Sequence, residues 1–115
     1  MDELIRAVQR FRDEREWRQF HIPKDLAISI SLEAAELLEQ FQWKTPEDVN
    51  ALLKKGEYRT RIGEEMADVL ILLISLADVL GLDLVETARA KLQENARKYP
   101  VDRARGSARK YDELA

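Results

Sequence analysis

The sequence predicts an all-α protein, a four-helix bundle with one additional short helix and a C-terminal tail. Three observations carry this expectation. Apolar residues fall on helical faces, period-two alternation never persists, and only four Gly and three Pro punctuate 115 residues. Hydrophobic residues at 45% and charged residues at 36% describe a helix-rich globular chain rather than a disordered or all-β one.

The elements follow in order. In the first helix, which reaches about Glu16, Leu4, Val8, Phe11 and Arg15 share a face, with Ile5 beside it. "WRQFHIPKD" then concentrates two aromatics, the only His and a Pro into nine residues, an irregular connection. The second helix runs from about Lys24 to Trp43. Thr45 is placed to cap a short third helix, with Pro46 at its first position and acids in its first turn, where they complement the helix dipole. That helix ends near Gly56. The fourth begins around Tyr58 to Arg61 and continues to Leu80, where Gly81 supplies a stop. Asp83, with Glu86 three residues later, gives a capping-box pattern for the fifth helix, which "KYP" ends at Pro100. The polar, basic remainder, 101–115, reads as a flexible or partner-docked tail. The whole chain, 1–115, is expected to form one domain, with residues 1–100 as its helical core.

Composition excludes several function classes. With no Cys, disulfides, thiolate metal sites and cysteine nucleophiles are ruled out. A net charge of −3 offers no overall attraction for a nucleic-acid polymer. The opening "MDELIRAVQRFRDERE" lacks an apolar core of a secretory leader, so a cytoplasmic protein is expected. The longest apolar run, "VLILLISLA", has nine residues, about half of the ~20 a membrane span needs.

Two acidic stretches stand out against the apolar pattern. On the second helix, Leu26, Ala27, Ile30, Ala34, Leu37, Leu38 and Phe41 form one wide apolar stripe, and Ile28, Leu32 and Trp43 a narrower one. Glu33 and Glu36 lie in the gap between them. On the fourth helix, Glu65 and Asp68 share a face with Leu72 and Val79. Each pair has i, i+3 spacing, which points two carboxylates the same way one turn apart. Side-by-side packing of these helices would bring four carboxylates together, and such a cluster is costly without positive charge. Only Arg61, four residues before Glu65, could neutralise either pair from its own helix. All-oxygen ligands suit a hard divalent cation, Mg²⁺ first, then Mn²⁺ or Ca²⁺. The plainer alternative is that the acids form surface ion pairs at helix borders. A di-iron bundle is disfavoured, since it wants two Glu-x-x-His motifs and His21 is the only histidine.

"EAAE", 28 residues, then "EMAD" is an ExxE…ExxD pattern that resembles the MazG-like, all-α nucleoside triphosphate pyrophosphatases. "RFRDEREWRQFHIPKDL", "ELLEQFQWK", "KLQENARKYP" and "SARKYDEL" extend the likeness over nearly the whole chain, toward the branch containing the dCTP pyrophosphatases. The resemblance implies a bundle assembled as a homodimer or homotetramer, with sites built partly from both subunits. It implies hydrolysis of a (d)NTP between the α and β phosphates, with Glu33, Glu36, Glu65 and Asp68 as catalytic Mg²⁺ ligands. Lys91, Asn95 and Tyr99 fall on the motif that faces the nucleotide in relatives. Val8 stands where dCTP-selective vertebrate relatives tend to have a His, and the link between the acidic motifs is shorter, so a wider base range than cytosine is open.

Other candidates carry two readings each. Lys91 and Asn95, at i and i+4, can reach one spot, Lys toward a phosphate and Asn toward a base or sugar; otherwise they line a solvated face. Trp17 and Trp43 can stack on a nucleobase or serve a core or interface. His21 can line the base pocket or act structurally. The basic tail could fold over a neighbouring subunit and offset the net negative charge near a triphosphate. Two competing functions remain: a related all-α pyrophosphatase acting on dUTP or phosphoribosyl-ATP, and a non-catalytic helical module for nucleotide sensing or dimerisation.

Overall fold

The computed structural model describes residues 1–113. Among these residues six α-helices follow one another: α1 (Asp2–Glu14), α2 (Pro23–Glu39), α3 (Pro46–Leu52), α4 (Gly56–Leu80), α5 (Leu84–Lys98) and α6 (Val101–Ala104). Short 3₁₀ turns occupy Arg18–Phe20 and Tyr111–Glu113, and no strand occurs among the described residues. The all-α expectation holds. The chain divides into two compact units, one from Met1 to Gly81 and one from Leu82 onward.

In the first unit α2 packs along α4, and α1 packs against α4. The packing centres on Leu26, Tyr58, Ile74 and Ala77, the four buried apolar residues. Ile74, 2% exposed, contributes about 1.5–3 kcal/mol by leaving water. Tyr58 is buried with its hydroxyl satisfied, donating to the Gln40 carbonyl at 2.6 Å, and its ring meets Phe41 edge-on. That hydrogen bond ties the end of α2 to the start of α4.

The predicted caps fall where the residue chemistry put them. Thr45 and Asp48 form a reciprocal capping box at α3, with Pro46 behind the cap. Gly81 closes α4 at φ 67°, a left-handed conformation that glycine adopts without a Cβ clash. At α5 only half of the predicted capping box forms: the Asp83 side chain accepts from the Glu86 amide at 3.0 Å, while the Glu86 carboxylate pairs with Arg89 instead of returning to the cap.

Boundaries and exposure differ in places. α2 ends at Glu39 instead of Trp43, because the chain turns through Gln40–Gln42 and Trp43 takes a left-handed φ of 64°. α4 starts two residues early, at Gly56. Part of the expected tail is helical: Pro100 sits before α6, its carbonyl accepting from the amides of Arg103 and Ala104. The stripe assigned to the core of α2 is only partly covered, since Leu26 is buried but Leu38 is 59% exposed.

A buried polar cluster joins α1 to α4. The Arg12 side chain, 6% exposed, pairs with Asp78, while the other Asp78 oxygen accepts from Gln9 Nε2 at 2.7 Å. A buried guanidinium is tolerable only with such partners, because desolvating an unpaired charge costs several kcal/mol. Hydrogen bonding from Arg12 holds the Asp78 carboxyl below the usual carboxylate range.

Candidate active site

The seam between α2 and α4 brings the two acidic motifs together. Glu33 and Glu36 project from one turn of α2, and Glu65 from α4; one carboxylate oxygen from each lies within 4.8 Å of the others. Glu33 and Glu65 are half-buried and Glu36 is exposed. The convergence therefore unites three of the four predicted acids. Asp68, one turn beyond Glu65 and exposed, lies at its border, near enough for its charge to act on both Glu33 and Glu65.

The electrostatics are those of an uncompensated anionic pocket. Glu33 Oε2 and Glu65 Oε2 are shut off from water and have no hydrogen-bond partner. None of the ion pairs among the described residues involves these acids. The Glu33 carboxyl is pushed up, first by its neighbour Glu36, which favours a proton between the two, and then by burial and the charges of Asp68 and Glu65. The Glu65 carboxyl is also raised, first by loss of water and then by Glu36. Orphaned buried oxygens on an all-carboxylate donor set fit a hard divalent cation. Bound there, a cation would satisfy both oxygens and relieve the repulsion.

The other predicted residues are distributed as follows. Trp17 follows the reversal after α1, where Glu16 has φ 55°, and stands edge-on to Phe11 with ring centroids 5.6 Å apart. His21 lies next to Arg12 and Asp78; its Nδ1 is buried without a partner, and burial, then the Arg12 charge, lower its pKa. Trp43 is 93% exposed. In the second unit, Lys91 and Lys98 both reach Glu94, at 3.6 and 3.3 Å. Asn95 is exposed, and its backbone carbonyl accepts from the Tyr99 amide. The Tyr99 ring meets Tyr111 edge-on at 6.3 Å.

Sequence reasoning missed the Arg12, Asp78 and Gln9 cluster, and an apolar groove of about 220 Å³ lined by Ala7, Val8, Phe11 and Ile71. Helical periodicity showed that Val8 and Phe11 share a face, but not that Ile71 of α4 stands opposite.

Comparison with known proteins identifies the family. The MazG-like family model matches residues 28–114, a span holding all four acids. dCTP pyrophosphatase 1 of Bos taurus is 38% identical over 114 residues, covering 99% of this chain and 68% of that protein. dCTP pyrophosphatase 1 of Homo sapiens is 39% identical, covering 99% and 67%. The crystal structure of a pyrophosphatase from Archaeoglobus fulgidus DSM 4304 has a TM-score of 0.77 and 44% identity, covering 87% of this chain and 92% of that one. With the family matched over most of its length and these identities extending almost end to end, the chain belongs to the MazG-like family, in the branch of the dCTP pyrophosphatases.

Proposed function

We propose that this chain is a nucleoside triphosphate pyrophosphohydrolase that adds water across the α–β phosphoanhydride of a (d)NTP, releasing the (d)NMP and pyrophosphate. The names of its relatives make dCTP or a modified dCTP the first substrate to test. The observation that carries the reading is the meeting of Glu33, Glu36 and Glu65 with two buried, unpartnered oxygens. These three and Asp68 would hold Mg²⁺, with Mn²⁺ as a substitute. The cation supplies charge neutralisation for the triphosphate and its pyrophosphate leaving group.

The residues themselves do the rest. Glu33 and Glu65 hold desolvated oxygens at the helix seam where a cation would sit, and a carboxylate at the border of the cluster can take the proton from the attacking water. Trp17 and Trp43 offer ring faces for the base, and Lys91, Asn95 and Tyr99 offer a charge and hydrogen-bonding groups for phosphate, sugar and base. His21, enclosed near Arg12, is suited to holding the Trp17 segment.

A second copy of the chain completes the assembly as a homodimer or homotetramer. Support comes from the apolar side chains left open on the two acid-bearing helices: Leu32 is 61% exposed and Met66 57%, surface that a second copy would cover. No helix among the described residues is long and apolar enough to cross a membrane, in keeping with a cytoplasmic enzyme of the nucleotide pool.

The test is pyrophosphate and monophosphate release from a panel of canonical and modified (d)NTPs with Mg²⁺, with and without EDTA. Metal-dependent formation of both products is expected. Tight nucleotide binding with no turnover across the panel would replace the enzyme with a sensor.

A further inference from the structure

We propose that Arg12 and Asp78 are positioning residues for nucleotide binding: their ion pair fixes the reversal that carries Trp17 and so sets nucleotide affinity without touching the nucleotide. The inference rests on the reading above in which Trp17 stacks on the base.

Both carboxylate oxygens of Asp78 are committed to α1. One takes the Arg12 guanidinium and the other takes Gln9 Nε2, from residues three apart and therefore on one face of that helix. The Arg12 Nε is bound as well, donating to Asp13 at 2.9 Å. The guanidinium has little freedom left.

The same residue also closes the chain reversal through its backbone. The Arg12 carbonyl accepts from the Arg15 amide at 3.2 Å and from the Trp17 amide at 3.0 Å. Between them Glu16 takes its left-handed φ of 55°, a conformation unfavourable to a non-glycine residue that must be imposed by its surroundings. What imposes it is an α1 terminus locked by its side chain to α4 and by its carbonyl to Trp17. The outcome is a defined ring position, with Trp17 at 77° to Phe11 and the Arg15 guanidinium 3.7 Å from the Phe11 ring centroid.

The ring on which Trp17 stands edge-on also belongs to the apolar groove between α1 and α4. Phe11 lines the apolar groove with Ala7, Val8 and Ile71, and Ile71 follows Asp68 by three residues, about 4.5 Å of rise along α4. Trp17 is 45% exposed, so part of its surface stays available. Stacking in a preset geometry is stronger than stacking on a mobile ring, because less freedom is lost on binding. An ion pair that served only to hold α1 on α4 would alter stability and leave affinity alone.

Asp78→Asn is isosteric, keeps an acceptor for Gln9 and removes the charge; Arg12→Met is read the same way. Steady-state hydrolysis would be measured with dCTP, or with whichever (d)NTP of the panel turns over fastest, and the intrinsic emission of Trp17 would be followed in a Trp43→Phe background. The expected result is KM raised at least fivefold with kcat within twofold, Trp17 emission shifted to the red and more readily quenched by acrylamide, and KM restored toward the parent value in the charge-swapped Arg12→Asp, Asp78→Arg chain. A lowered Tm with unchanged KM and emission in both single variants overturns the inference while leaving the site intact. Trp17→Ala is the control: if KM does not rise there, the base-stacking reading itself fails, and the inference with it.

Discussion

Glu33 of α2 and Glu65 of α4 bring carboxylate oxygens within 4.8 Å of each other across the helix seam, and each buries an oxygen that bonds to nothing. Two helices that only needed to pack would place apolar side chains at such a contact. Here the seam keeps two desolvated acids with raised proton affinity, a standing cost that a bound cation would remove.

Glu36→Gln and Asp68→Asn should therefore lower kcat by at least about a hundredfold, the scale seen when one electrostatic partner of a transition state is lost. The fold should survive, and Tm in EDTA should rise by a few degrees as like-charge repulsion is relieved. Circular dichroism melts alongside the pyrophosphate assay check both outcomes. Unchanged hydrolysis in both variants would remove the acids from the metal site.

Trp43→Ala and Asn95→Ala should reorder the (d)NTP panel more than they slow its best member. Trp43 is 93% exposed and packs on little of its own chain, so its loss leaves the core untouched. Specificity constants across the four bases are the measurement. An equal drop for every base would assign these residues to phosphate positioning or to structure.

His21 should give stability a pH dependence of definite sign. Burial and the Arg12 charge hold its pKa below the ordinary 6.5, while Asp78 opposes them. Below about 6.5 the unfolded chain then binds more protons than the folded one, so stability is full above that pH and declines as pH falls toward the folded-state pKa. Thermal melts from pH 7.5 to 5 should show that decline, and His21→Gln should flatten it. The same slope in both proteins would place the sensitive group elsewhere.

Leu38 is 59% exposed on the acid-bearing helix, and its burial is expected from a second copy. Sedimentation of the wild-type chain should show a dimer or tetramer, and Leu38→Glu should shift it toward monomer. A wild-type monomer at micromolar concentration would leave the open apolar faces without the occupant proposed for them.

Much of this was legible because the signals are local. Thr45–Pro46, Gly81 and Asp83 mark helix ends through their own backbone and side-chain chemistry, and i, i+3 acids between apolar strips mark a seam. The four-residue α6 is barely more than one helical turn, too short to show a repeating apolar pattern, so its basic composition hid it. Leu38 was assigned to the core because periodicity finds an apolar face without saying what covers it. Arg12 and Asp78 lie 66 residues apart in the chain, and each reads alone as an ordinary charge; only packing of α1 on α4 makes them a pair.

The turn after α2 carries a lesson for anyone redesigning this chain. At φ 64° the residue of least backbone strain is glycine, and Trp43 adds to that strain a ring given over almost wholly to solvent. Any procedure that ranks substitutions by the thermostability of a single subunit will therefore nominate Trp43→Gly among its first improvements. With Trp43 in the base-stacking role proposed above, the protein it delivers would be hardier in a melting curve and poorer at telling one nucleotide from another.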